Sequence, residues 1–408
     1  MTGLTPAHRA AERAARQSYG KLIAYLAART GDVAAAEDAL ADAFAAALAN
    51  WPTRGVPQAP EAWLLAAARR RIIDMARRRR TREAATERLL LSVEEVAAEM
   101  DPADVPDWRL RLMFACAHPA IDAAMRGPLM LQTVLGLDAA AIAAAFLTAP
   151  KAMSQRLVRA KRRIHDTGIP FRLPDRADLP ARLDAVLEAI YAAFGLGWDD
   201  MAGADQCGRD LAEEAMWLAR VLLKLLPGEA EVQGLLALML YCEARRPARR
   251  DAKGRYIPLS EQNPEKWLGS LIDEAERHLA KAFQHGHVGR FQLEAAIQSV
   301  HAERAHTGRT DWSAIVLFYE QLLKVSSALG TRAGYAAAVA EANGPEAGLA
   351  VLESIHAEAV AHYQPYWAVQ AHLLRRLGKT REASAAYDRA IGLAEDPAVR
   401  EFLIQKRG

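Results

Sequence analysis

Residues 135–164 read LGLDAAAIAAAFLTAPKAMSQRLVRAKRRI. The pattern predicts two helices, about Ala139–Phe146 and Ala149–Asp166, with a tight break at Leu147-Thr148. Thr148 suits an N-cap, and Pro150 is tolerated in a first turn, where its missing N–H has no intrahelical partner. In the second helix Met153, Leu157, Ala160 and Ile164 recur at three- and four-residue spacing and form the inward stripe. Gln155, Val158, Arg159 and Arg162 point outward, flanked by Lys151, Ser154 and Arg156. Two short helices, a tight turn and a basic polar outer face make a helix-turn-helix pattern.

Upstream the chain is also helical. Residues about 8–29 carry Leu22, Ile23 and Leu26 among their apolar positions, and Gly31-Asp32 breaks that helix with Asp32 as the next N-cap. The following helix repeats Val33, Ala36, Leu40, Ala43, Phe44 and Ala47 on one stripe, while Glu37, Asp38 and Asp42 fall away from it onto an exposed face. A loop with Pro52, Gly55, Pro57 and Pro60 comes next. The helix from about Glu61 to Arg80 has Leu65, Ala68, Ile72, Met75 and Ala76 on its apolar face. Trp63, Arg70, Asp74 and Arg77 lie opposite, with Arg71 and Arg78 flanking. Residues 83–107 turn acidic, with Pro102 and Pro106, and read as a linker.

The charge follows this organisation. The 408 residues carry 52 basic and 50 acidic side chains, a formal net of +2. Up to Pro174 there are 25 Lys and Arg against 18 Asp and Glu, whereas the remainder holds 27 against 32. Near-neutrality therefore averages a basic segment of net +7 with an acidic one of net −5. Arg69–Arg82 contains eight arginines and one acid, and Lys151–Arg163 six basic residues and none. Such asymmetry points to a nucleic-acid or membrane contact in one half. No stretch reaches the roughly 18 consecutive apolar residues that span a bilayer, and the N-terminus has no basic-then-apolar leader. A cytoplasmic protein with no membrane contact is expected.

Half the residues are apolar but only 7% aromatic, and alanine dominates, which favours helix over strand. After a Pro-rich junction (Pro170, Pro174, Pro180), helix follows helix to the end, interrupted by a polar insert at residues 245–264. Trp367, Ala371, Gly378, Ala383, Tyr387 and Ala390 fit the spacing of one tetratricopeptide unit. The fold class expected is all-α, with a helical-repeat C-terminal part.

Catalytic signals are weak. Cys116 and His118 lack a second ligand pair for a structural zinc site. His285 and His287 flank Gly286 in a predicted turn. There is no Walker loop, dinucleotide glycine fingerprint or nucleophile elbow. Neither an enzyme nor a cofactor or metal is expected.

The stretches TGDVAAAEDALADAFAAALANWP (30–52), EAWLLAAARRRIIDMARRRRTR (61–82) and 135–164 resemble, in this order, three parts of sigma-70-type RNA polymerase sigma factors of the extracytoplasmic-function class. These are the region 2 helix that docks on the polymerase clamp, the helix facing the −10 element, and the region 4 helix-turn-helix that reads the −35 element. LRLMFACAHPA (110–120), RLVRAKRRIHDTGIPFRLP (156–174) and LLALMLYCEARRPAR (235–249) resemble the subgroup with a fused, tetratricopeptide-like C-terminal domain. YAAFGLGW (191–198) and SSALGTRAGYAAAVAEANG (326–344) diverge from that subgroup's forms. The resemblance implies region 2 at 8–82, an acidic linker at 83–106, region 4 at 107–170 and a helical regulatory domain at 178–408. The implied partners are core RNA polymerase and promoter DNA, and the acidic balance of the C-terminal part points to a protein contact there.

It also assigns residues. Ser154, Gln155, Arg156 and Arg159 would meet −35 base edges, with Lys151 and Arg162 on phosphates. Trp63, Arg70, Arg71, Arg77 and Arg78 would take the −10 strand, whose unstacked bases need aromatic surfaces and basic grooves. For Trp63, a core position under the 52–60 loop is equally open. Glu37, Asp38 and Asp42 would face a basic clamp helix on the polymerase. Two other readings stand beside this one: a helix-turn-helix regulator that recruits no polymerase, and a helical-repeat scaffold. The 30–82 segment, for which a simple regulator has no use, separates the first from a sigma factor.

Overall fold

A computed structural model describes residues 5–80, 108–146, 148–175, 177–199, 206–286 and 288–408. Among them every element is helical apart from one isolated antiparallel bridge between Arg250 and Tyr256, so the chain is all-α. The predicted linker 83–106, the turn residue Leu147 and His287 lie outside the described residues. The chain divides into two compact units, 1–197 and 198–408.

The first unit starts with α1 (Pro6–Thr30), α2 (Val33–Arg54) and α3 (Pro60–Arg80), which pack on one another. Their apolar stripes meet as the spacing predicts: Leu22, Ile23 and Leu26 of α1, Val33, Ala36, Leu40, Ala43 and Ala47 of α2, and Leu65, Ala68 and Ile72 of α3 are all buried. Each fully buried Leu or Ile contributes about 1.5–3 kcal/mol relative to exposure. Phe44 and Met75 are only half-buried, and the side chain of Ala76 lies outside the described residues. Asp32 caps α2, its Oδ1 accepting from the Ala35 N–H at 3.0 Å. One expectation fails at the other end of α2. The helix runs through Pro52 to Arg54 rather than stopping before it. Pro52 sits in the last turn, so the helix ends within two residues of it and the loop begins at Gly55, whose φ is +83°.

Next come α4 (Arg109–Cys116), α5 (Ala123–Thr133), α6 (Ala139–Ala145), α7 (Pro150–Thr167) and α8 (Leu179–Asp199), within which the division between the units falls. Asp138 caps α6 through Ala141 N–H at 2.7 Å. Pro150 occupies the first turn of α7 as expected, but Thr148 does not cap it. The cap position is Ala149, which offers no side-chain acceptor, and the Thr148 hydroxyl instead donates to the Phe146 carbonyl at 3.0 Å. The two helix groups of this unit are in contact: α1 packs on α4 and α5, and α2 on α7. The backbones come close at Gly20, where an added Cβ would lie 1.8 Å from the Val134 carbonyl oxygen.

The second unit runs α9 (Gln206–Leu225), α10 (Ala230–Ala244), α11 (Gly269–Phe283), α12 (Arg290–Ala302), α13 (Arg304–Thr307), α14 (Trp312–Val325), α15 (Leu329–Asn343), α16 (Pro345–Glu353), α17 (Ala357–Val360), α18 (Gln364–Arg376), α19 (Thr380–Leu393) and α20 (Pro397–Arg407). Neighbouring long helices pack in sequence, α10 on α11 and α12, α14 on α15, α18 on α19. Ala371, Ala383, Tyr387 and Ala390 join the core between α18 and α19, with Trp367 packed partly buried against it and Gly378 at φ +73° in the turn. The polar insert at 245–264 folds back on the C-terminal helix of the same unit. Arg250 pairs with Asp396 at 2.8 Å, Lys406 with Glu261 at 3.1 Å, and Tyr256 meets Phe402 edge-on.

Candidate nucleic-acid interface

The outer face of α7 is built as its sequence spacing dictates. Met153, Leu157, Ala160 and Ile164 are buried, which leaves Lys151, Ser154, Gln155, Arg156, Arg159 and Arg162 exposed together. Arg162 pairs with Asp166 one turn on at 3.4 Å, both well exposed, an interaction of little energetic weight. Val158 stands among these residues at 61% exposure. The face is thus basic and polar with one apolar side chain, on a single rigid element.

On α3, Arg70 and Arg77 are exposed and Arg71 half-exposed; the side chain of Arg78 lies outside the described residues. Arg71 is already engaged, its Nε 2.6 Å from Asp42 Oδ2 of α2. Trp63 is half-buried and meets the buried Trp51 edge-on, ring centres 5.5 Å apart. Trp63 therefore rests on a core aromatic with part of its ring left to solvent.

The α2 acids do not form the open face expected of them. Asp38 and Asp42 are exposed, but the Glu37 side chain is only 17% exposed. Its Oε2 accepts from Lys161 Nζ of α7 at 2.6 Å. Burial raises the carboxyl pKa of Glu37, against the lowering pull of Lys161 and its hydrogen bond. Next to it, His165 of α7 comes within 3.8 Å of Asp32, the cap of α2. The reason is visible in the spacing. Lys161 follows Leu157 by four residues, so it borders the inward stripe and turns toward α2, while His165, four residues on, reaches the edge of α2 with half of its side chain still exposed.

A second feature escaped the sequence reading. Trp108 packs against Tyr25 of α1 with its ring tilted by 42° and the ring centres 5.6 Å apart, and arginines lie over these rings: Arg29 and Arg69 over Tyr25, Arg29 and Arg111 over Trp108, all within 5.5 Å. Arg69 also donates to the Tyr25 hydroxyl. Cation–π contacts of this kind contribute about 0.5–1 kcal/mol when exposed and more when desolvated. Only Arg69, at the head of the Arg69–Arg82 run, gave a sequence signal for it. Cys116 is buried, its thiol pushed up to about 12 chiefly by desolvation, and its Sγ lies 3.7 Å from Thr133 Oγ1. His118 accepts from the Ala120 N–H at 3.1 Å, and burial, then Arg182, lowers its pKa.

The class is given by the first unit. Residues 15–82, spanning most of α1 and all of α2 and α3, match the Sigma-70 region 2 family. Residues 182–283 match a family of unknown function, DUF6596. The chain is also 39% identical over 393 residues to an uncharacterized protein of Rhizobium meliloti (strain 1021), covering 95% of this chain and 92% of that one. The chain belongs to the family of that protein, with a sigma-70 region 2 domain at its N-terminal end. No solved structure matches it. No helix among the described residues is long and apolar enough to cross a membrane.

Proposed function

We propose that this protein is an RNA polymerase sigma factor of the extracytoplasmic-function class: it binds core polymerase, directs it to a promoter and helps open the −10 region. The observation that carries this reading is the sigma-70 region 2 match across 15–82, which falls on the helices bearing the acidic and Arg-rich faces. Helix α7 serves as the −35 reader of region 4. Arg159 offers two donors for a guanine edge and Gln155 a donor and an acceptor for an adenine edge, Ser154 and Arg156 flank them, and Lys151 and Arg162 hold phosphates. Val158 suits a thymine methyl. Arg70, Arg71, Arg77 and Arg78 track the −10 strand, and the exposed part of Trp63 offers a stacking surface for an unstacked base.

Asp38 and Asp42 are the α2 side chains free to meet a basic polymerase helix, although Asp42 must first exchange Arg71. Glu37 joins them only when Lys161 lets go. The protein does no bond chemistry; the polymerase does. The C-terminal unit, tetratricopeptide-like in its α18–α19 pair, regulates these helices in the cytoplasm in place of a separate inhibitor and contacts protein rather than DNA. Co-elution of full-length protein with core polymerase tests the assignment. A stoichiometric complex is expected, lost in the Asp38→Lys/Asp42→Lys variant with its helical circular dichroism intact. Retained binding in that variant removes α2 as the docking helix.

A further inference from the structure

The second unit contains a half-open cleft of about 770 Å³ between the insert turn at 258–261 and helices α14, α15, α18 and α20. That volume falls in the range of small-molecule sites, about 300–1,000 Å³. Its walls are mainly apolar, with Trp312, Val369, Leu373 and Phe402 among them. Its acids are already occupied: Glu341 pairs with Arg376 at 2.5 Å and Glu261 with Lys406 at 3.1 Å.

The cations at one end are not matched in this way. Arg304 lines the cleft, lies over the Trp267 ring and donates to the carbonyls of Ser260 and Gln262, with no carboxylate partner among the described residues. Arg309, also in the lining, has no side-chain partner among them. Behind these, Arg245 is 8% exposed and within electrostatic reach of Arg304 and His301. Its Nη2 donates to Gln298 Oε1 at 2.5 Å, while its Nη1 is buried without a partner. A buried guanidinium with neither carboxylate nor full hydrogen bonding is costly, and the field it creates attracts an anion. Burial, reinforced by nearby Arg245 and Arg304, holds His301 neutral, near a pKa of about 3.

We infer that this cleft binds a small anionic amphiphile, an apolar body carrying one acidic head group, with the body against Trp312, Val369 and Leu373 and the head toward Arg304 and Arg309. The site is independent of the sigma helices, so it stands or falls separately from the reading of α2, α3 and α7.

The test uses full-length protein and two fluorescent probes of similar shape: anilinonaphthalene sulfonate, which is anionic, and the neutral phenylnaphthylamine. Saturable binding of the sulfonate, tighter than that of the neutral probe, is expected. Arg304→Gln and Arg309→Gln should each weaken the sulfonate about tenfold and leave the neutral probe within about twofold, as the loss of a charge-assisted contact requires. Ala368→Trp, which fills the wall of the cleft, should abolish the saturable binding of both. Arg309 makes no side-chain hydrogen bond or ion pair among the described residues, so its variant keeps the charge test available if Arg304→Gln does not fold. The inference is overturned if the neutral probe binds as tightly as the sulfonate. Equal losses of both probes in Arg309→Gln also overturn it, as does unaltered sulfonate binding in a folded Ala368→Trp protein.

Discussion

The Lys161–Glu37 pair ties α7 to α2, and Lys161→Met measures what that tie is worth. The side chains are 10% and 17% exposed and 2.6 Å apart. At an effective dielectric of about 20, such charges attract by about 6 kcal/mol, most of which is offset by their desolvation. Removing one partner is different in kind. Methionine fills the space of the lysine stem but leaves the Glu37 carboxylate buried without a cation, and its Oε1 already lacks a hydrogen-bond partner. The expected loss at neutral pH is about 3–5 kcal/mol, or roughly 6–20 °C in melting temperature for a unit of this size. The double variant Glu37→Gln/Lys161→Met should recover most of it. pH supplies a second signature. The carboxyl pKa of Glu37 is raised in the folded state, so the folded form holds its proton over a range where the unfolded chain has lost it. Stability therefore falls as pH rises from the unfolded carboxylate value, about 4.3, through the folded one. In Lys161→Met that window widens, and acidification should restore part of the lost stability; in the double variant the dependence should flatten. Differential scanning calorimetry across pH 4–8 reads all three. A single variant within about 1 kcal/mol of wild type, or a double variant no better than the single, would refute the reasoning.

Other outcomes follow from the same geometry. Arg159→Ala should relax sequence preference at the −35 element, while Arg162→Ala weakens binding evenly across sequences; competition binding with mutated half-sites distinguishes them, and equal, sequence-blind losses count against the assignment. Trp63→Phe should remove a fluorescence change seen when the wild-type polymerase complex is titrated with a forked −10 template. An unchanged response in the variant would make Trp63 a packing residue only. Gly20→Ala puts a Cβ against the Val134 carbonyl and should destabilise the first unit by about 1–3 kcal/mol in thermal melts.

The parts of this protein that were legible in its sequence are those governed by one helix at a time. The stripe of Met153, Leu157, Ala160 and Ile164 needs only a 3.6-residue period, and it sorts the α7 residues into buried and exposed as observed. Caps depend on one residue of register. Asp32 was placed correctly, whereas Thr148 sits one residue too early once Pro150 takes the first helical position. Contacts between distant segments were hidden. Glu37 reads as an exposed acid because its partner Lys161 lies 124 residues away. Trp63 divided the two readings evenly, and its half-buried ring on Trp51 satisfies part of each. The cleft of the second unit was unreadable for the same reason, since its walls come from the insert and several helices far apart in sequence.

The central claim, that this chain programs RNA polymerase, is tested most directly by run-off transcription with purified core enzyme on genomic fragments. Addition of the full-length protein should produce discrete transcripts from a small set of start sites, with discrimination among start sites reduced by Arg159→Ala substitution in α7. Transcription indistinguishable from core enzyme alone, at concentrations where the protein binds the same DNA, would contradict it and leave a DNA-binding regulator that recruits no polymerase.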